Sequence, residues 1–266
     1  MLREPPRKSE RSSSVVDFLY PYEAERVDSP GIPVLRLPLR VGVAFVPGVS
    51  SRGWSPAGSF SEQQKSVLLQ RVADEFKGRP FIQSIEVIPS TYLRPRGGFE
   101  NLAQLRGLLG VDVIVLVAFD QLQFTQENKL SLAYWTIVGA YLFKGNRNDT
   151  HTLLEAVVYD IPSRKLLFRA PGVSQVKDAS TMVEVRERLR AASATGFDLA
   201  AGDLVKNLQA ELASFQERVK NAPAGGAVAR IEHRPGYSGG GSFEGWSAGA
   251  IAALLAFAAW RRRVQP

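Results

Sequence analysis

The chain of 266 residues has no cysteine, which excludes disulfides, thiolate nucleophiles, zinc ribbons and iron–sulfur clusters together. Its two histidines, His151 and His233, are too few for a multi-histidine metal centre. The first twelve residues hold no apolar run of secretory length, so the printed start offers no export signal. Nor is positive charge concentrated. Of a formal net charge of +7, about +3 falls in residues 222–266, and residues 1–33 come out near −1. Basic residues such as Arg94, Arg96, Arg106 and Lys129 stand singly, without the interleaved aromatic face of a nucleic-acid module. A solvated surface is expected there, and no nucleic-acid partner. What the chain does have is 45% apolar and 22% charged residues, the balance of a globular protein able to bury a core.

Four zones follow from composition. Residues 1–33 are polar, with Pro5, Pro6, the run Ser12–Ser14, Pro21 and Pro30, and read as an extended segment. Inside it, Val15-Val16-Asp17-Phe18-Leu19-Tyr20-Pro21 is apolar enough to dock on something. Residues 34–221 carry the periodic patterns of a globular domain. Residues 222–245 are rich in glycine and proline and read as a flexible linker. Residues 246–263 form an uncharged run closed by three arginines.

Within the body, residues 36–47 read as a buried strand ended by Pro47. Ser61 can cap a helix to about Lys77 with Val67, Leu68, Val72 and Phe76 as its apolar stripe. Ile82 to Ile88 reads as a strand. Residues 99–109 read as a helix bearing Leu102, Leu105, Leu108 and Leu109 and stopped by Gly110. Val111 to Phe119 is almost unbroken apolar sequence, as a strand covered on both faces requires. Residues 130–143, 150–159 and 165–175 read as three strands of a meander, the second turn carrying Asp160, Pro162 and Ser163. A long helical region from about Ser180 to Lys220 sets Leu204, Leu208, Leu212, Phe215 and Val219 on one face, with Gly196 as a point where it could break. The expected fold is α/β, a mixed sheet covered by helices in the order β-α-β-α-β-β-β-β-α, followed by a short carboxyl-terminal transmembrane helix. In element order alone, residues 36–220 resemble the small α/β domains of bacterial envelope lipoproteins, such as the curli-export lipoprotein and the amino-terminal domain of the Tol-system propeller protein.

The carboxyl tail carries the specific signal. Gly239-Gly240-Gly241-Ser242 precedes fifteen residues without charge, Trp246 to Trp260, and Arg261, Arg262 and Arg263 follow at once. As a helix the fifteen span about 22 Å against a hydrocarbon core of about 30 Å. Trp246 and Trp260 suit the two membrane interfaces, and snorkelling arginines lengthen the effective span. A soluble amphipathic helix would show a polar face, and this segment shows none beyond Ser247. Clustered arginines stay cytoplasmic, which puts the body on the far side of the inner membrane.

That order of hinge, apolar helix, arginines and chain end resembles the GlyGly-type carboxyl-terminal sorting signal of Gram-negative bacteria. The resemblance implies cleavage near Gly240 to Ser242 by rhombosortase, a rhomboid-type intramembrane protease. Ser12-Ser13-Ser14-Val15-Val16-Asp17-Phe18-Leu19-Tyr20-Pro21 resembles the segment after the lipid-modified cysteine of the rhombotarget (rhombotail) lipoproteins. That family carries a signal peptide and a lipobox cysteine, and the printed chain has neither. Two readings are open, a true start upstream of Met1 or a member that lost the lipid. The first is preferred, because a periplasm-facing body needs an export signal.

Catalytic constellations fail on supply. His151 lies at an expected strand start and His233 in the linker, neither with the orienting partner a Ser–His–Asp arrangement needs. Gly97-Gly98 and Gly239 to Gly241 lack the strand–loop–helix setting and lysine of a phosphate cradle. The acids Asp112, Asp120, Glu155 and Asp160 could pair in space, yet no spacing singles them out. The expectation is a non-enzymatic exported envelope protein without cofactor or bound metal, meeting membrane lipid, the rhomboid-type protease and an unknown envelope protein. The alternative is an inner-membrane binding protein anchored permanently by its tail.

Overall fold

The computed structural model describes residues 9–21, 31–48, 61–123, 149–177, 185–222 and 228–237. The fold is mixed α/β, with helices on a mixed sheet. Its strands are β1 (Ser9–Ser12), β2 (Val34–Leu37), β3 (Leu39–Phe45), β4 (Ile82–Ile88), β5 (Val113–Gln123), β6 (Asp149–Asp160), β7 (Lys165–Lys177) and β8 (Arg230–His233). Its helices are α1 (Val15–Leu19), α2 (Glu62–Phe76), α3 (Gly98–Leu109) and α4 (Val185–Lys220). The main sheet runs β4-β3-β5-β6-β7, with β3 parallel to β4 and β5, and with β5, β6 and β7 antiparallel in turn.

β5 is the axis, and its apolar run divides by the pleat. Val113, Val115 and Val117 face one core with α2 and α4. Ile114, Leu116 and Ala118 face the other with α1 and α3. Helix α2 starts where expected, on a capping box in which Ser61 and Gln64 satisfy each other's backbone N–H. Leu68, Val72 and Phe76 of the expected stripe are buried, and Leu69 takes the place of Val67, which is 64% exposed. In α3 Leu102 and Leu105 are buried as expected beside Phe99, Leu109 packs partly buried on the same core, and Leu108 is exposed. Gly110, at φ 69°, ends that helix in the left-handed conformation.

Three expectations need revision. The strand expected over 36–47 is two strands, divided at Pro38 after a cis bond, because β2 leaves the main sheet to pair in parallel with β8. The 222–245 stretch read as linker therefore contains an ordered strand, Arg230–His233, paired with β2. Helix α4 does not break at Gly196. It continues because the missing side chain is used for packing: a Cβ there would lie 2.8 Å from the Thr152 hydroxyl. The strand expected over 130–143 lies outside the described residues.

The 15–21 segment docks on its own body. Ser14 caps α1 by accepting from Asp17 N–H at 3.2 Å, and Phe18 and Leu19 are buried against the α3 side of the sheet. Tyr20 meets Phe99 edge-on at 5.6 Å. Just before it, β1 pairs antiparallel with Asp120–Gln123, taking the side of β5 that β3 vacates after Val117. At the opposite edge, α4 finishes β7: Asp203 accepts from Val173 N–H at 3.0 Å and Asn207 donates to Pro171 C=O at 2.9 Å. Edge groups that would otherwise invite another strand are thus occupied.

Helix α4 approaches β7 closely at Gly172, where a Cβ would lie 2.3 Å from Ala200 C=O and 2.7 Å from Leu204 N. We expect Gly172→Ala to lower unfolding stability by about 2–3 kcal/mol, since backbone cannot give way as a side chain does. Gly107→Ala, in open space on α3, should raise it by about 0.5–1 kcal/mol. Urea titration of the two variants beside the parent checks both signs.

Candidate functional site at the carboxyl-terminal exit

The residues singled out from sequence for sorting and membrane contact, Gly239, Gly240, Gly241, Ser242, Trp246, Trp260 and Arg261 to Arg263, lie outside the described residues. The structure describes the place from which they depart. After β8, Pro235 and Gly236 occupy the centre of a turn closed by Tyr237 N–H to Arg234 C=O at 3.1 Å, with Gly236 at φ 85°. Proline followed by a positive-φ glycine is the pairing that a type II turn favours. Tyr237 then donates its hydroxyl to Pro80 C=O at 2.9 Å, and its ring lies 5.8 Å from His233. The exit is therefore fastened two residues before Gly239.

One carboxylate gathers several of the contacts that hold that exit to the body. Asp112 sits just past the Gly110 cap, and its oxygens accept from Arg40 at 3.0 Å, Arg106 at 3.4 Å and Arg234 at 2.5 Å. Those arginines come from the start of β3, the last turn of α3 and the residue after β8. Arg234 also donates to Pro38 C=O at 3.2 Å. The Asp112 carboxyl is only 15% exposed, so these charge-assisted bonds are sheltered from solvent screening. Its contacts with three guanidinium groups join Arg40, Arg106 and Arg234 at one carboxylate.

Beside it opens a cleft of about 290 Å³ whose polar lining includes Arg36, Arg106, Asp112, Asp160 and Ser163. Asp160 ends β6 and turns the chain by accepting from Ser163 N–H at 3.0 Å and from its hydroxyl at 2.5 Å. Burial raises the Asp160 carboxyl above its ordinary value of 3.8, and the Ser163 bonds pull partly the other way. Of the four acids weighed from sequence, only Asp112 and Asp160 share this cleft. Glu155 pairs with Arg169 at 3.6 Å on β6 and β7, and Asp120 is buried further along β5. His151 is buried in β6, and His233 closes β8.

A second polar cluster lies under the first half of α4. Gln121 donates to the Thr152 hydroxyl at 2.8 Å and accepts from the Ser193 hydroxyl at 2.6 Å, while Ser174 donates to Gly196 C=O at 2.5 Å. The Gln121–Ser193 and Ser174–Gly196 bonds tie the helix to the sheet, and the Gln121–Thr152 bond joins β5 to β6. Among the described residues no group of three His, Asp or Glu side chains could hold a metal ion.

Sequence reasoning missed the Asp112 fastener. Its partners lie 72, 6 and 122 residues away, and only Arg106 falls in the same local segment.

The fold defines a mixed α/β unit whose described chain ends at Tyr237, bonded to Pro80. No family model matches the chain, and no curated protein does. Among solved structures, the chain is similar to the PelC dodecamer from Paraburkholderia phytofirmans at 12% identity and a TM-score of 0.29, covering 75% of this chain and 96% of that one. A Xanthomonas campestris protein of the DUF330 family matches at 10% identity and a TM-score of 0.34, covering 73% of this chain and 98% of that one. Overlaps this loose do not define a shared fold.

Two outcomes follow. Asp112→Ala leaves Arg40, Arg106 and Arg234 without their common acceptor, so we expect a stability loss of about 2–3 kcal/mol. Amide exchange over Arg230–His233 should quicken more than over β5. For Asp160, a raised folded value means that the native state binds the proton more tightly than the unfolded chain does. Its contribution is full below pH 3.8 and is lost as pH rises through the raised value. Asp160→Asn keeps the turn acceptor and should remove that acid-side component, which stability measured between pH 3 and pH 7 will show.

Proposed function

We propose that the protein is a non-enzymatic envelope protein of a Gram-negative cell, a lipoprotein facing the periplasm or surface, whose carboxyl-terminal sorting signal is cut by a rhomboid-type intramembrane protease. The observation that carries this is the order of the tail: Gly239 to Ser242, then Trp246 to Trp260 without charge, then Arg261 to Arg263. Each part has a mechanical task. The uncharged segment crosses or nearly crosses the bilayer, with Trp246 and Trp260 at its interfaces. The arginines keep the end cytoplasmic and put the α/β body outside. The glycines give the protease a stretch that leaves the helix readily, since each costs about 1 kcal/mol relative to alanine in a helix interior.

The fastened exit supports the same reading. Tyr237 is tied to Pro80, so a cut within Gly239 to Ser242 falls in the few residues between a held body and a held membrane helix. Cleavage there would leave β8 and its Arg234 contact intact, and the body would depart folded. Among the described residues no helix is long and apolar enough to cross a membrane, so in this reading the span is made by the tail.

The test is the mass of the mature protein from a host carrying the protease. A carboxyl terminus between Gly239 and Ser242 is expected, and an intact Pro266 in the membrane would instead mean permanent anchoring. Replacing Gly239, Gly240 and Gly241 with leucine should cut the processed fraction by about one to two orders of magnitude, because roughly 2–3 kcal/mol of helix opening is lost.

A further inference from the structure

Basic residues that stand singly along the sequence are gathered by the fold at one end of the main sheet. There β3, β4, β5 and β7 begin and β6 ends, so the connections 77–81, 110–112 and 161–164 lie at that end. Strands β2 and β8 cross the same end, since Ile32, Val34 and Arg36 line one cleft with Arg106, Asp160 and Ser163. Lys77 and Arg79 stand just before Pro80, which holds Tyr237. Lys165 opens β7 opposite Asp160, and Arg230 opens β8 opposite Val34. The acids of this end are engaged elsewhere. Asp112 is shared by three arginines, Glu232 pairs with Arg36 and Glu217 with Lys220. Asp74 and Glu75 accept from Gln70 and Gln209, and Asp160 from Ser163. Lys77, Arg79, Lys165 and Arg230 form no ion pair among the described residues. Large apolar side chains are exposed among them: Ile32 at the cleft, Leu108 in the last turn of α3, Leu166 in β7 and Ile231 in β8.

We propose that this end of the body is a bilayer-facing surface that takes anionic phospholipid headgroups, with Lys77, Arg79, Lys165 and Arg230 meeting phosphates and Ile32 and Ile231 reaching the headgroup layer. The inference rests on the proposed membrane-seeking tail and adds how the body stands on the membrane. Its position is the first support. The chain leaves the body at Tyr237, beside Lys77 and Arg79, and nine residues from Tyr237 to Trp246 reach at most about 30 Å. A tail in the bilayer therefore holds this end, and no other, nearest the lipid. Its chemistry is the second, because unpaired basic groups interleaved with exposed aliphatic ones match both the charge and the apolar depth of a headgroup layer. Its width is the third. Four strand spacings separate β4 from β7, about 19 Å at about 4.8 Å each, too wide for one phosphate and suited to several headgroups side by side. Nucleic acid would answer the charge, but the exposed apolar groups here are aliphatic, and bases stack on aromatic rings.

The cysteine-free chain can carry a single reporter. Ile231→Cys, or Val67→Cys in the exposed first half of α2 as reference, bears one fluorophore in the full chain. Each is bound to phosphatidylcholine vesicles, with or without phosphatidylglycerol, that hold a quencher at the headgroups. On the anionic vesicles quenching at Ile231 should exceed that at Val67 about fivefold, and 0.5 M salt, with a screening length of roughly 4 Å, should remove most of the excess. Lys77→Gln, Arg79→Gln, Lys165→Gln and Arg230→Gln together should remove it as well. The same charge loss away from this end, Lys65→Gln, Arg71→Gln, Arg94→Gln and Lys206→Gln, should not. Equal quenching at the two positions, with the tail in the bilayer, overturns the inference and leaves the proposed function standing. So does an excess that neutral vesicles give equally or that survives the first four substitutions, since headgroup charge then plays no part. An excess erased by duplex DNA at equal phosphate concentration assigns the surface to nucleic acid and overturns the inference. An excess on anionic vesicles without entry of the tail keeps the surface and removes the membrane-spanning reading.

Discussion

A strand apolar on both faces cannot stop at one layer of cover, and β5 is such a strand. Val113, Val115 and Val117 demand one helical layer, and Ile114, Leu116 and Ala118 demand a second. At about 1.5–3 kcal/mol for each buried side chain of this size, leaving either face open would cost several kcal/mol, a large share of a small domain's stability. The rest of the architecture answers that demand. Helices α2 and α4 close one face. On the other, α3 is too short alone, and the Val15–Leu19 helix completes it. The sequence before the body is therefore part of the fold.

Polar groups then fix what apolar burial leaves undetermined. Burial alone would let α4 slide along the sheet, and Gln121, Thr152, Ser174 and Ser193 set its position through bonds that have few alternatives. At the other end of β5, Asp112 gathers arginines from three distant segments and fixes where the chain leaves. The two ends of one strand thus carry different tasks, positioning a helix at one and holding the tail exit at the other. In the proposed function the second task matters most, because the cut falls just beyond the segment that Arg234 and Tyr237 hold.

How much of this could be read from sequence depends on the range of the interaction. The capping box at Ser61, the stop at Gly110 and the two-faced run of β5 are local patterns, and the structure has them where the sequence places them. The stripes of α2 and α3 were legible only to within one residue, since Val67 and Leu108 are as apolar as their buried neighbours and only the sheet's position decides between them. Gly196 read as a break because propensity sees a lost side chain, while the structure uses the gap to bring α4 near Thr152. The pairing of β2 with β8 and the Asp112–Arg234 contact join residues more than a hundred positions apart and have no local signature. For the tail the reverse holds: its order of glycines, tryptophans and arginines is plain in sequence.

The central claim is that Trp246 to Trp260 enters a bilayer. With Trp54 and Trp135 replaced by phenylalanine, the purified full chain keeps only the two tail tryptophans as reporters. Added to vesicles whose lipids carry bromine at defined depths, it should show strong quenching by bromine near the headgroups and weaker quenching by bromine at the bilayer centre. Emission that no brominated lipid quenches, at any depth, would contradict the account.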